Sequence, residues 1–237
     1  MSETPDSTTE PGYLTTSTGW GVVHLFAKIG PAADGQAIVN AVKDARNAEH
    51  QVIPFAVFGH KADIGFLTMG PDLWHLRSIQ TSLQKAGLDI IDSYVSMTEV
   101  SEYAAGVPDA MRQARLFPQL PPEGKNIVCF YPMSKKRDGH ANWFTLEYDK
   151  RSELMHEHGT SGRRFAGRIV QLVTGSTGVD DFEWGVTLFA VNLDDLKDVV
   201  YTMRFDEASA IYGDFGAFYT GLIGEIEDVV ERVGIGG

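Results

Sequence analysis

The sequence predicts an α+β protein in which two ferredoxin-like halves pack their sheets into one β-barrel with helices outside, a dimeric α+β barrel. Three observations lead there. Residues 15–115 read β-α-β-β-α-β, the ferredoxin-like order. Residues 116–237 repeat that order. Between the halves Pro108, Pro118, Pro121 and Pro122 form a Pro-rich seam. The repeat is one of element order, without clear sequence identity.

Taken in order, residues 1–14 read as a disordered tail of Ser, Thr, Glu, Pro and Gly, lacking the basic and apolar regions of a signal peptide. Trp20 to Lys28 is a strand that ends at the turn Gly30-Pro31. Ile38, Val39, Val42 and Ala45 have helical spacing within 37–48. Gln51 to Phe58 and Ile64 to Met69 are β-branched and aromatic runs joined by a short polar connection. Asp72 caps a helix through about Ala86, with Leu73, Leu76, Ile79 and Leu83 on one face and Gly87 at its end. Leu88 to Met97 returns as a strand. The second half supplies a strand at 126–133, a helix at 150–158 and strands at 166–174 and 183–191. A helix at 193–203 and a last strand near 215–222 complete it.

With 43% hydrophobic residues among 237, the chain can build a substantial core. A formal net charge of -12 excludes a general nucleic-acid binder, whose affinity comes from basic surface. Positive charge is local instead, at Lys135, Lys136 and Arg137 and at Arg163, Arg164 and Arg168. Such patches suit a small multivalent anion or are ordinary solvated charges. The single cysteine, Cys129, excludes an internal disulfide and reads as a buried small hydrophobe. No apolar run reaches membrane-spanning length, so the expected location is the cytoplasm.

Chemistry concentrates around Cys129-Phe130-Tyr131-Pro132-Met133-Ser134-Lys135. On a strand, Ile127, Cys129, Tyr131 and Met133 share one face, joined by Lys135 if the extension continues. Pro132 marks where regular pairing is expected to fail. In the helix starting after Asp149 and stopping at Gly159, His158 shares a face with Leu154 and Met155, while His156 points away. His158 is therefore the interior histidine, as a hydrogen-bonded core residue or as a ligand. Gln171 is an amide within an apolar strand, and its burial would require a partner. Gly175-Ser176-Thr177-Gly178 lacks the Gly-Lys-Ser/Thr ending of a phosphate loop and reads as a turn.

Taken jointly, Tyr131-Pro132-Met133-Ser134-Lys135, Trp143, Leu154-Met155-His156-Glu157-His158-Gly159, and Gly175-Ser176-Thr177-Gly178 followed by Glu183-Trp184-Gly185-Val186 carry a resemblance. They are similar to the coproheme decarboxylases, the haem-synthesis members of the chlorite dismutase superfamily, and most to the actinobacterial type. The similarity runs from about residue 15 to the C-terminus and is strongest over 112–220.

The resemblance implies a two-lobed barrel, usually a homopentamer, with an iron porphyrin in the C-terminal half. Its substrate and redox centre would be iron coproporphyrin III (coproheme), supplied by an upstream ferrochelatase. Hydrogen peroxide would be the oxidant and haem b the product. Carried over by position, His158 matches the iron ligand, Tyr131 the catalytic tyrosine, and Lys135 the cation near the reacting propionate. Met133 lies beside the pocket with Trp143. Gln171 falls where chlorite-degrading relatives have arginine. Arg115, Arg163, Arg204 and Ser209 resemble residues holding the other propionates. The sequence departs from the actinobacterial pattern in one respect: some members have a distal histidine just upstream of the tyrosine strand, whereas here no histidine lies between His75 and His140, and Ala114 falls in that region. A chlorite-degrading enzyme and a non-catalytic haem carrier are the alternative functions.

Overall fold

The computed structural model describes residues 14–47, 49–104 and 106–235. The expected tail lies outside them except for Leu14, whose carbonyl accepts from the Leu73 N–H at 2.8 Å. The N-terminal half contains β1 (Gly21–Ile29), α1 (Gly35–Ala45), β2 (Gln51–Val57), β3 (Ile64–Gly70), α2 (Leu73–Lys85) and β4 (Leu88–Thr98). Asp34 caps α1 by accepting from the Ala37 N–H, and Asp72 caps α2 by accepting from the Trp74 N–H, both at 2.9 Å. α1 buries the four residues its periodicity picks out. α2 buries Leu76, Ile79 and Leu83 but leaves Leu73 exposed. Gly87 follows α2 with φ +90, and a Cβ there would run into the Ala32 carbonyl oxygen. The four strands are antiparallel in the order β2-β3-β1-β4.

The Pro-rich passage holds a helix the sequence did not predict, α3 (Asp109–Leu116). Then come β5 (Ile127–Lys135), the short ribbon β6 (Arg137–Asp138) and β7 (Ala141–Asn142), and a 3-10 turn at Trp143–Thr145. α4 (Tyr148–Arg163), β8 (Ile169–Gly175), β9 (Trp184–Ala190), α5 (Leu193–Met203) and α6 (Glu207–Ala210) follow. The last elements are β10 (Gly213–Phe215), β11 (Tyr219–Ile223) and α7 (Ile226–Arg232). The sheet order is β11-β5-β9-β8, again ferredoxin-like, with β10 added beside the far end of β5. Contacts β11–β2 and β4–β8 join the two sheets, so eight strands close into a ring. Closure removes the free edges that an open sheet would expose.

The ring encloses Val22, Phe26, Phe55, Leu67, Phe130 and Phe189. Outside, α1, α2 and α7 cover the N-terminal sheet through Ile38, Val42, Ile79, Leu83, Ile226 and Val230. α5 covers the C-terminal sheet through Leu196 and Val199 against Val186 and Leu188.

Two expectations are corrected. Pairing does not fail at Pro132: β5 stays registered with β9 through Pro132↔Gly185 and Met133↔Trp184. Within one strand residue the N–H and C=O point to the same side. The Pro132 carbonyl accepts from the Gly216 N–H at 2.9 Å, so the missing N–H faces the gap between β10 and β11 and the β9 ladder loses nothing. Second, α4 does not stop at Gly159, nor does Asp149 cap it. It runs from Tyr148 through Gly159 and Gly162 to Arg163, with Glu147 at the N-cap and Asp149 in the first turn. An internal glycine costs only about 1 kcal/mol. The last turn is held by buried Ser161, whose hydroxyl donates to Asp206 Oδ1 at 2.7 Å.

Phe130 stacks on His24 with ring centroids 4.0 Å apart and touches the Phe26 and Tyr94 rings. Phe130→Ala is expected to cost about 3–5 kcal/mol, read as a lowered urea midpoint with little change in slope.

Candidate active site

β5 is the strand from which the site is built. It is bonded along both edges, and its alternation puts Phe130 inside the barrel and Cys129, Tyr131 and Met133 on the outer face. Cys129 and Tyr131 are buried there, and Met133 is half-buried. Tyr131 stacks on Phe218 with centroids 4.4 Å apart and lies 6.0 Å from the Phe215 ring. Burial pushes the Tyr131 phenol well above its ordinary pKa, with Arg204 opposing. The group is therefore a phenol, not a phenolate, at any neutral pH.

Lys135 continues the face and is 7% exposed. Its ammonium donates to the Ala208 carbonyl at 2.6 Å and sits 4.5 Å above the Trp143 ring. Its backbone N–H donates to Glu183 Oε2 at 2.9 Å. Burial lowers its pKa to about 8, against the pull of Asp206 and Glu183. Trp143 is buried beneath it with Leu154 and Ala208.

On α4, His158 is half-buried and His156 exposed, as the helical geometry required. His158 Nδ1 lies 3.0 Å from Asp206 Oδ2. A carboxylate accepts, so Nδ1 carries the proton and Nε2 keeps a lone pair; Nε2 has no hydrogen-bond partner among the described residues. Burial first, and Lys135 second, lower the His158 pKa, while Asp206 raises it. The ring is neutral at neutral pH and able to ligate a metal. Among the described residues no three His, Cys, Asp or Glu side chains come together to hold an ion. A lone imidazole fits a metal that brings its remaining donors with it, as an iron porphyrin does.

The other sequence candidates separate. Gln171 is exposed, so it owes no partner to burial; its register with Leu188, and Leu188's with Cys129, puts it on the same outer face as Tyr131. Val173 beside it is 40% exposed, leaving an open strip of sheet on β8, separated from Tyr131 and Met133 by β9. Arg204 stacks on Phe215 with Cζ 3.7 Å from the ring centre. Ser209 is buried in α6, and its N–H donates to the Asp206 carbonyl at 3.0 Å. Arg163 is exposed at the end of α4, donating to Thr160 Oγ1. Arg115 is exposed on α3. Of the remaining cations, Arg168 pairs with Asp195 at 2.7 Å.

Sequence reasoning missed Asp206 and Glu183, two buried carboxylates that organise His158 and Lys135. Nothing in Arg204-Phe205-Asp206-Glu207 distinguishes a buried acid from a solvated one. It also missed Phe215 and Phe218, the aromatic walls of Tyr131. The turn assigned to Gly175-Ser176-Thr177-Gly178 is a turn, joining β8 to β9.

A chlorite dismutase family model matches residues 32–224. A coproheme decarboxylase of Staphylococcus carnosus (strain TM300) is 40% identical, covering 88% of this chain and 93% of its own. A solved haem-binding protein of Thermus thermophilus is 32% identical with a TM-score of 0.82, over 94% of this chain and 99% of its own. A chlorite dismutase variant of Candidatus Nitrospira defluvii shares the fold with a TM-score of 0.74 at 17% identity, over 92% of this chain and 96% of its own.

The Lys135 geometry sets a pH dependence. A lysine whose pKa falls from its ordinary value of 10.5 to about 8 on folding is disfavoured as a cation in the folded state. Between about pH 8 and 10 the unfolded chain holds the extra proton, so folding stability rises with pH there. Relative to Lys135→Met, the protein is expected to gain about 1–3 kcal/mol across that interval, read from urea unfolding at each pH.

Proposed function

The chain belongs to the chlorite dismutase family, and from that premise we propose that it is a hydrogen-peroxide-dependent coproheme decarboxylase, an oxidoreductase that converts two propionates of iron coproporphyrin III to vinyl groups and yields haem b. The observation that carries this reading is the shared face of β5. A phenol, a thioether and a buried ammonium stand in register, and the ammonium and His158 are tied to the same short segment, Asp206 to Ala208. The coproheme decarboxylase relative supports the choice within the family.

Bound iron porphyrin would supply the redox centre at which peroxide is reduced. His158 would ligate the iron through Nε2, with Asp206 holding the tautomer and making the imidazole a stronger donor. Lys135 would hold the reacting propionate; with a pKa of about 8 it is mostly an ammonium at pH 7. Tyr131 would give up its phenolic hydrogen as a proton and an electron together, and the phenoxyl would take a hydrogen atom from the propionate carbon nearest the ring. Loss of carbon dioxide and one further electron leaves the vinyl group. For each propionate, one peroxide and one proton are consumed, and one carbon dioxide and two waters are released. Arg204 and Ser209, with Arg115 and Arg163, would hold the other propionates, while Met133, Trp143 and Gln171 border the pocket.

The same reading implies coproheme supplied by a ferrochelatase, a cytoplasmic setting and a homopentamer. No helix among the described residues is long and apolar enough to cross a membrane. The haem-binding protein of Thermus thermophilus supports a second reading, a haem carrier, which would need His158 but no Tyr131–Lys135 pair.

Mass spectrometry of bound coproheme after peroxide addition separates these readings. Loss of two carboxyl groups is expected, and intact porphyrin would leave the carrier standing. Tyr131→Phe is expected to bind coproheme within about tenfold of the unmodified affinity, as the phenol contributes at most one hydrogen bond, yet to form no vinyl product. His158→Ala is expected to change the iron absorption spectrum; an unchanged spectrum removes the ligand assignment.

A further inference from the structure

One row of the outer sheet face is bounded by opposite charges. Phe215 on β10 pairs with Met133 on β5, Met133 with Trp184 on β9, and Trp184 with Gly175 on β8. Paired residues in antiparallel strands project to the same side. At one end of the row, the Arg204 guanidinium stacks on Phe215. At the other end stands Glu99, just past β4. Its Oε1 accepts from the Trp184 indole N–H at 3.1 Å. A Cβ built on Gly175 would run into Glu99 Oε2, so the carboxyl group occupies the space that a side chain there would fill. Four strands span about 14 Å, so a flat ligand against Met133 would have a cation beyond one edge and a carboxyl group beyond the other.

We propose that Glu99 is an orientation determinant of this site, repelling ionised carboxylate arms so that the carboxylate-rich edge of a porphyrin is directed toward Arg204 and Lys135. The inference rests on the reading of the site as a porphyrin pocket. Coproporphyrin III carries one propionate on each pyrrole, with two flanking one meso edge and one on the edge opposite, so turning its two-carboxylate edge toward Arg204 leaves a carboxylate facing Glu99. A porphyrin whose opposite edge is carboxylate-free can turn that edge to the Trp184–Glu99 side.

Glu99 is suited to be a titratable boundary. Although the side chain is solvent-exposed, partial desolvation raises its pKa, and the Trp184 N–H opposes that rise. The surrounding elements carry other ionisable groups: Glu183, Asp180 and Asp181 between β8 and β9, Arg112 and Arg115 on α3, Glu102 after β4, and Lys135 and Arg137 beyond Met133. Comparing two variants at each pH cancels their contribution.

The test is binding of ferric coproporphyrin III without peroxide, followed by Soret absorption from pH 5 to 7.5, in the full-length protein and in Glu99→Gln. Glutamine keeps an oxygen for the indole N–H. The affinity ratio of E99Q to the unmodified protein is expected to be near one in acid and to rise about three- to tenfold toward neutral pH. Ferric protoporphyrin, which has two carboxylates on one edge, is expected to show a flat ratio. Trp184→Phe, which withdraws the hydrogen bond and leaves the carboxyl group in place, is expected to move the rise to higher pH. Ratios that stay flat with coproporphyrin, or equal responses of the two porphyrins, overturn the proposal while leaving the porphyrin site intact. Failure of every form to bind either porphyrin overturns both.

Discussion

A buried ammonium imposes the arrangement of the C-terminal half. An isolated lysine in an apolar setting sheds its proton rather than bear the desolvation cost. Lys135 keeps a pKa of about 8 because four groups converge on it. These are the Ala208 carbonyl, the Trp143 ring, and the Asp206 and Glu183 carboxylates. They come from α6, the 3-10 turn, the α5–α6 connection and the β8–β9 loop. The same Asp206 receives the His158 N–H and the Ser161 hydroxyl, fixing the last turns of α4. One small polar cluster thus places both the helix residue His158 and the strand residue Lys135.

The barrel separates packing from chemistry. Its interior takes polar groups only when they are neutral: fully buried His24 has its pKa pushed down to about 3, stacks on Phe130 and shares a hydrogen bond with Thr187. Buried Tyr94, hydrogen-bonded to Ser176, is pushed up to about 12 and remains a phenol. The aromatic filling leaves no place for a tetra-anionic ligand inside. The outer face of the C-terminal sheet differs. α5 and Phe165 cover the part around Leu188 and Ala190, while Gln171 and Val173 remain exposed. The bare strip therefore lies on β8, with β9 between it and Tyr131 and Met133.

Most elements were legible because each carries a local signal that the tertiary fold does not override. The four apolar positions of α1, Asp72 at the start of α2 and the alternation through Tyr131 are such signals. Where the sequence misled, a distant contact decided. Gly159 is helical because Ser161 is anchored to Asp206, 45 residues away. Pro132 is harmless because its nitrogen faces a gap between β10 and β11, which no local rule specifies. Gln171, an amide in an apolar strand, would have needed a partner if buried, but only the Leu172 side of β8 packs into the barrel. His158 could be chosen over His156 from helix geometry, but its tautomer waited on Asp206.

The roles proposed for Tyr131 and His158 make different demands, and the fold meets them with different elements. A residue that must lose a hydrogen atom and regain it needs a constant environment, since movement of its neighbours would shift its pKa and potential together. Tyr131 has that constancy: it lies mid-strand, paired with Val186, and is walled by Phe218 and Phe215. A metal ligand needs only a correct ring orientation and an open nitrogen. His158 has both on a helix whose apolar anchor, Leu154, sits one turn earlier against Trp143 and Ala208. Trp143 also lies under the Lys135 ammonium. A change in its volume would therefore reach the cation directly and the histidine through α4, adding a packing route to the electrostatic one by which Lys135 already lowers the His158 pKa. The packing aromatic beneath the site is thus where the placement of the Lys135 ammonium meets that of the His158 helix.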